Sequence, residues 1–169
     1  MGRSRWAADP KNTNVTATNT ASGNIVIADT AGGLTVSTGG VNQTGTGTVG
    51  ITAAGGTLNV NETVQSTGTG TITLTATGPT SDVVVATGKS VTSTGGNIAI
   101  DAPQDITLTG TGTVITGGTG TITLTADSDN ATSGAINANN SATAIQAGTG
   151  LVTLLGRSGI AAGTTITNV

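Results

Sequence analysis

The sequence predicts an all-β protein folded as a parallel β-helix, a β-solenoid of about six coils of ~24 residues with three short strands each. Three observations carry this. The segment GTGTITLTA occurs twice, at Gly68–Ala76 and at Gly118–Ala126, so the chain repeats. Short apolar runs alternate with period two, which marks strands with one buried face. The composition is rich in Thr, Val, Ile and Gly, with 28 Gly, one Trp and no Phe, Tyr, His or Cys, which favours strands and turns over helices.

The first strand of each coil opens as NIVIA (Asn24–Ala28), TVGIT (Thr48–Thr52), TITLT (Thr71–Thr75), NIAID (Asn97–Asp101), TITLT (Thr121–Thr125) and LVTLL (Leu151–Leu155). One inward column would hold Ile25, Val49, Ile72, Ile98, Ile122 and Val152. A second would hold Ile27, Ile51, Leu74, Ile100, Leu124 and Leu154. A second run follows at Leu34–Val36, Leu58–Val60, Val83–Val85, Ile106–Leu108 and, less clearly, Ala135–Ala138. A third apolar point lies at Val41, Val64, Val91, Val114 and Ile145.

Glycines such as Gly32-Gly33, Gly39-Gly40, Gly55-Gly56, Gly95-Gly96 and Gly117-Gly118 separate the runs, where corners can take positive φ without a Cβ penalty. A sandwich would call for hairpin turns, yet neither Asn-Gly nor Asp-Gly occurs. Missing aromatics fit a narrow core that a ring would push apart. The fifth unit is longest, and residues Asp127–Asn139 are expected to loop out at a corner. Residues 1–22 read as an N-terminal leader or extension, with Asn14–Ala21 able to form a strand or cap, and 23–169 as the solenoid.

Charged residues make up 8% of the chain, for a net charge of -3. Arg3, Arg5 and Lys11 lie near the start, and the rest is weakly acidic without a basic stripe, a poor match to nucleic acid. No apolar run approaches the roughly 20 residues of a membrane span, so no membrane insertion is expected. Met1–Pro10 lacks the apolar core of a signal peptide, although a signal can be lost by cleavage.

The pairing of Gly23–Ala28 with Gly32–Val36, and of Gly96–Ala102 with Asp105–Leu108, resembles the repeats of filamentous-haemagglutinin-like bacterial surface proteins. The likeness runs from about Gly23 to Val169. It implies a right-handed parallel β-helix in a secreted or cell-surface adhesin-type rod. That family's secretion-domain motifs are not visible here.

Catalysis is not expected. There is no His base or Cys nucleophile, and Asp29, Glu62, Asp82, Asp101 and Asp105 are scattered singly. No cofactor is implied. Asp127, Asp129 and Asn130 form the one acidic cluster and a candidate Ca²⁺ site, but no bidentate Glu closes it, and a solvated corner loop is the favoured reading. Asn-x-Ser/Thr at Asn14, Asn42, Asn61, Asn130 and Asn139 is expected in so Asn- and Thr-rich a chain. The central outward column of the first strand mixes Thr73, Thr123 and Thr153 with Val26, Gly50 and Ala99, which breaks any lattice-matching array for ice.

Open strand edges at solenoid ends invite pairing. Val15, Ala17, Ile166 and Val169 are therefore candidates for a head-to-tail interface between copies. The function expected is a stiff structural rod with a host-surface or glycan partner. A self-assembling filament and an ice- or glycan-binding solenoid are the alternatives.

Overall fold

The computed structural model describes residues 4–8, 13–131, 133–138, 144–161 and 166–168, with the backbone alone for 4–8 and 168. The chain is a β-solenoid of about six turns, ~24 residues apart, built from parallel strands, with no helix among the described residues.

The strands fall into layers. β1 (Ser4–Ala8) and β2 (Thr13–Asn19) lie beneath β3 (Ile25–Asp29) and β4 (Gly32–Gln43). Next come β5 (Val49–Ala53), β6 (Gly55–Val60) and β7 (Val64–Ser66), then β8 (Ile72–Ala76), β9 (Val83–Val85) and β10 (Ser90–Ser93). The following layer is β11 (Ile98–Ala102), β12 (Ile106–Leu108) and β13 (Thr113–Thr116). Above it lie β14 (Ile122–Ala126), β15 (Ala135–Asn137) and β16 (Ile145–Ala147), and then β17 (Val152–Leu155), β18 (Gly159–Ile160) and β19 (Ile166–Asn168).

The first strands stack as a 7-stranded sheet, β1-β3-β5-β8-β11-β14-β17. Its register joins Ile25 to Val49, Val49 to Ile72, Ile72 to Ile98, Ile98 to Ile122 and Ile122 to Val152. Because side chains alternate faces, a slip of one residue would turn the whole column to solvent. The second run stacks Leu34, Leu58, Val83, Ile106, Ile136 and Ile160, and the third stacks Val41, Val64, Val91, Val114 and Ile145. From Ile25 to Leu124 both first-strand columns are buried. Val152 and Leu154 are half-buried and pack against this core from the last described layer, which has a neighbour on one side only.

Two sequence expectations are corrected. The layer of β3 has one further strand where two were expected, because β2 pairs with both Leu34–Val36 and Val41–Gln43 and β4 runs as a single strand of 12 residues. Within it Gly39 and Gly40 hold φ of 104° and 65°, which turn the strand without breaking its ladders to β6 and β7. β4 thereby joins the second and third ladders into one 12-stranded sheet. The excursion in the fifth unit is also shorter than Asp127–Asn139. Ala135–Asn137 return to the stack as β15, with Ile136 buried between Ile106 and Ile160. An apolar Ile in register gains more from burial than from a solvent loop. Asn139 lies outside the described residues. β1 and β2 pair in parallel with β3 and β4, so described parts of the 1–22 segment are stacked on the solenoid.

Candidate functional site

Of the scattered acids, Asp82 and Asp105 have backbone partners in adjoining layers, while Asp29 Oδ1 accepts from the N–H of Ala31 (3.3 Å) in its own coil. The backbone N–H of Asp82 faces Thr57 Oγ1 (3.5 Å), that of Asp105 donates to Asp82 Oδ1 (2.9 Å), and that of Ala135 donates to Asp105 Oδ1 (2.8 Å). Each side chain thus takes the amide of the layer above, where the corner interrupts the backbone ladder. Asn24 and Asn97 do the same at another corner, accepting from the N–H of Thr48 (3.0 Å) and Thr121 (2.9 Å). This arrangement can hold coils together. Asp105→Ala is expected to cost about 1.5–3 kcal/mol, the range for a hydrogen bond to a charged group. Asp105→Asn, which keeps the acceptor, should retain most of that stability; paired thermal melts check both.

The acidic corner has a partner of another kind. Arg157 reaches it from the next layer: its Nη1 lies 3.4 Å from Asp127 Oδ2 and donates to Asn130 O (3.1 Å) and Asn130 Oδ1 (2.6 Å). A guanidinium therefore occupies the side from which these oxygens would face a cation. Asp129 Oδ1 accepts from the N–H of Ala131 (3.2 Å) and does not join the other two. Asp127 and Asn130 have φ of 61° and 56°, a left-handed turn that Asp and Asn tolerate better than most residues. Among the described residues no three His, Cys, Asp or Glu side chains gather to hold a metal ion. Sequence reasoning missed Arg157, since nothing local links it to a cluster one coil earlier.

Lys89 and Glu62 form a second ion pair at 2.9 Å, both about a third exposed and therefore worth little. The outward column of the first ladder follows the expected register, Val26, Gly50, Thr73, Ala99, Thr123 and Thr153, and Val26 is 45% exposed. Its Thr residues stay interrupted.

Of the candidate interface residues, Val15 and Ala17 are half-buried on β2 against the core. Ile166 is exposed on β19, and Val169 lies outside the described residues. Leu151, Leu155 and Ile160 are exposed on the same last layer.

Two interior features were not legible beforehand. Asn19, Gln43, Ser66, Ser93 and Thr116 form one continuous column at the end of the third ladder, in register from layer to layer. Beside it Gly47, Gly70, Gly96, Gly120 and Gly150 stack so closely that a Cβ on each would strike the carbonyl oxygen of the glycine below, beginning with Gly23.

The described residues include no helix long and apolar enough to cross a membrane. Comparison with protein-family models, with curated proteins and with solved structures returned no match, so the resemblance to filamentous-haemagglutinin-like repeats rests on the repeat motif itself.

Proposed function

We propose that this chain is a structural repeat segment, a stiff spacer in a secreted or cell-surface adhesin-type rod. The observation that carries the reading is where the polar side chains go. Asp82, Asp105, Asn24, Asn97 and Arg157 all bond across layers, so the polar chemistry of the chain tightens the stack. Adjacent strands at ~4.8 Å give the first ladder a height of about 29 Å, and a longer array of such coils would extend the rod without changing its cross-section. Immunolabelling of intact source cells with antibody against the chain tests the reading. Surface labelling is expected; labelling only after permeabilisation overturns it.

A second reading has its own support. Leu151 is 68% exposed, and it shares the last described layer with exposed Leu155, Ile160 and Ile166 and with strand edges paired on one side. Such a face is shaped to receive another coil, and a second copy stacked head to tail would make the chain a filament subunit. Sedimentation velocity and negative-stain microscopy over a concentration series separate the two. Fibres of uniform width that lengthen with concentration favour the filament, and short rods at all concentrations favour the spacer. Binding on a glycan array, or thermal hysteresis, would instead support a ligand- or ice-binding solenoid.

A further inference from the structure

The interior polar column has a working rule. Its side chains reach the glycine that lies two residues before the first strand of the same coil, or the glycine at the next corner. Asn19 Nδ2 and Gln43 Nε2 donate to Gly23 O (2.8 and 3.2 Å). Thr116 Oγ1 donates to Gly96 O (2.7 Å). Ser93 Oγ accepts from the N–H of Gly96 (2.9 Å). These bonds hold the corner where one coil passes into the next.

The rule fails at one place. Gln43 Oε1 and Ser66 Oγ are buried and have no hydrogen-bond partner. The residues are 0% and 1% exposed and are direct neighbours in the ladder, so both side chains point inward one strand spacing apart. Buried polar atoms are almost always partnered, and two orphans side by side call for a shared explanation. The surrounding corners are made of Gly45, Gly47, Gly68 and Gly70, which offer backbone and no side chains. A Cβ on Gly47 would lie 2.9 Å from Gln43 Nε2, which places the amide directly against this corner. Ser66 Oγ stands as far from its backbone as the hydroxyls of Ser93 and Thr116, which both bond Gly96, yet it bonds no glycine of its own corner.

We propose that a single water molecule is sealed in the column between Gln43 and Ser66 as an internal part of the fold. It donates one hydrogen to Gln43 Oε1 and accepts the Ser66 hydroxyl hydrogen. Its second hydrogen goes to the carbonyl of Gly47, the counterpart in this layer of Gly23 and Gly96. Three partners are typical of a buried structural water. The site completes the polar clamp with solvent in the layer where the side chain makes no direct bond, and its occupant exchanges only when the stack opens.

A high-resolution crystal structure of the whole chain, together with oxygen-17 magnetic relaxation dispersion in solution, tests this. The expected result is one density peak about 2.6–3.2 Å from both Gln43 Oε1 and Ser66 Oγ, and a long-lived internal water in solution. Ser66→Val should fill the site with a methyl group, remove the hydroxyl that the water accepts from, and lower the count of long-lived waters by one. Three results would overturn the proposal. One is Ser66 Oγ bonded directly to Gln43 Oε1 with no density between. Another is a cation, marked by contacts of about 2.3–2.6 Å to several oxygens. The third is a long-lived water count that is zero in the unsubstituted protein. The first and third are read on that protein, so they stand even if Ser66→Val folds poorly.

Discussion

Gly70→Ala is expected to destabilise the protein by about 3 kcal/mol or more, while Gly50→Ala leaves it unchanged or slightly more stable. The two glycines sit in successive coils, and neither has the positive φ that would make alanine a backbone problem. The difference lies in what the added methyl meets. At Gly70 it would collide with the carbonyl oxygen of Gly47 and stand 2.8 Å from that carbonyl carbon. The obstacle is backbone, pinned by the ladders on either side, so it cannot swing away as a side-chain tip can. Relief would require the coils to part at the corner, and that separation would loosen β5 against β8. Outward-facing Gly50, in the middle of β5, has nothing within 4 Å of the new methyl, and alanine there restricts the unfolded chain. For a chain of this size 3 kcal/mol lowers a melting midpoint by roughly 6–12 °C. Equal midpoints for the two variants would mean that the corners are not packed as described.

Ile98→Asp is expected to abolish cooperative folding. Ile98 is buried between Ile72 and Ile122 in the interior of the first ladder, with layers above and below. A carboxylate there would be shut away from solvent among apolar neighbours, and removing an unpaired charge from water costs several kcal/mol even after relaxation. The lost packing of the isoleucine adds about 2–5 kcal/mol. The sum is comparable to the whole stability of an ordinary domain. Val152→Asp makes the control. It lies in the same column but is half-buried on the last described layer, where its carboxylate can turn toward solvent, and it should cost much less. Circular dichroism and urea melts distinguish the variants. A wild-type transition for Ile98→Asp would show that the column does not face inward.

The legible parts of this protein are those that depend on spacing along one strand. Ile72 and Leu74, two residues apart in the repeated GTGTITLTA, announce a buried face, and every coil offers the same pair at about the same interval. Stacking equal residues is then the one register that buries all of them, and the observed pairing of Ile72 with Ile98 and of Ile98 with Ile122 follows. The weak Ala135–Ala138 signal was harder to place, because a long fifth unit hides how many residues leave the stack. Once Ile106 and Ile160 are brought above and below it, Ile136 is held in β15.

Other features depend on distances between layers, which no local pattern contains. The glycine corners read as turns needing positive φ. That holds for Gly39, Gly40, Gly55 and Gly118, whereas Gly47, Gly70, Gly96 and Gly120 are required because a carbonyl lies against their α-carbons. Asp82 and Asp105 read as isolated acids, since their partners are amides one coil further along. Asp127, Asp129 and Asn130 read as a possible cation cradle, and only the fold brings Arg157 across to two of them. The sequence by itself determined the solenoid class, the repeat length and the inward columns, because period-two alternation and apolar burial act within each strand. The tertiary structure alone decided which glycines touch, which acids cap, and which polar atoms are left facing each other inside, because those depend on the stacking of one coil on the next.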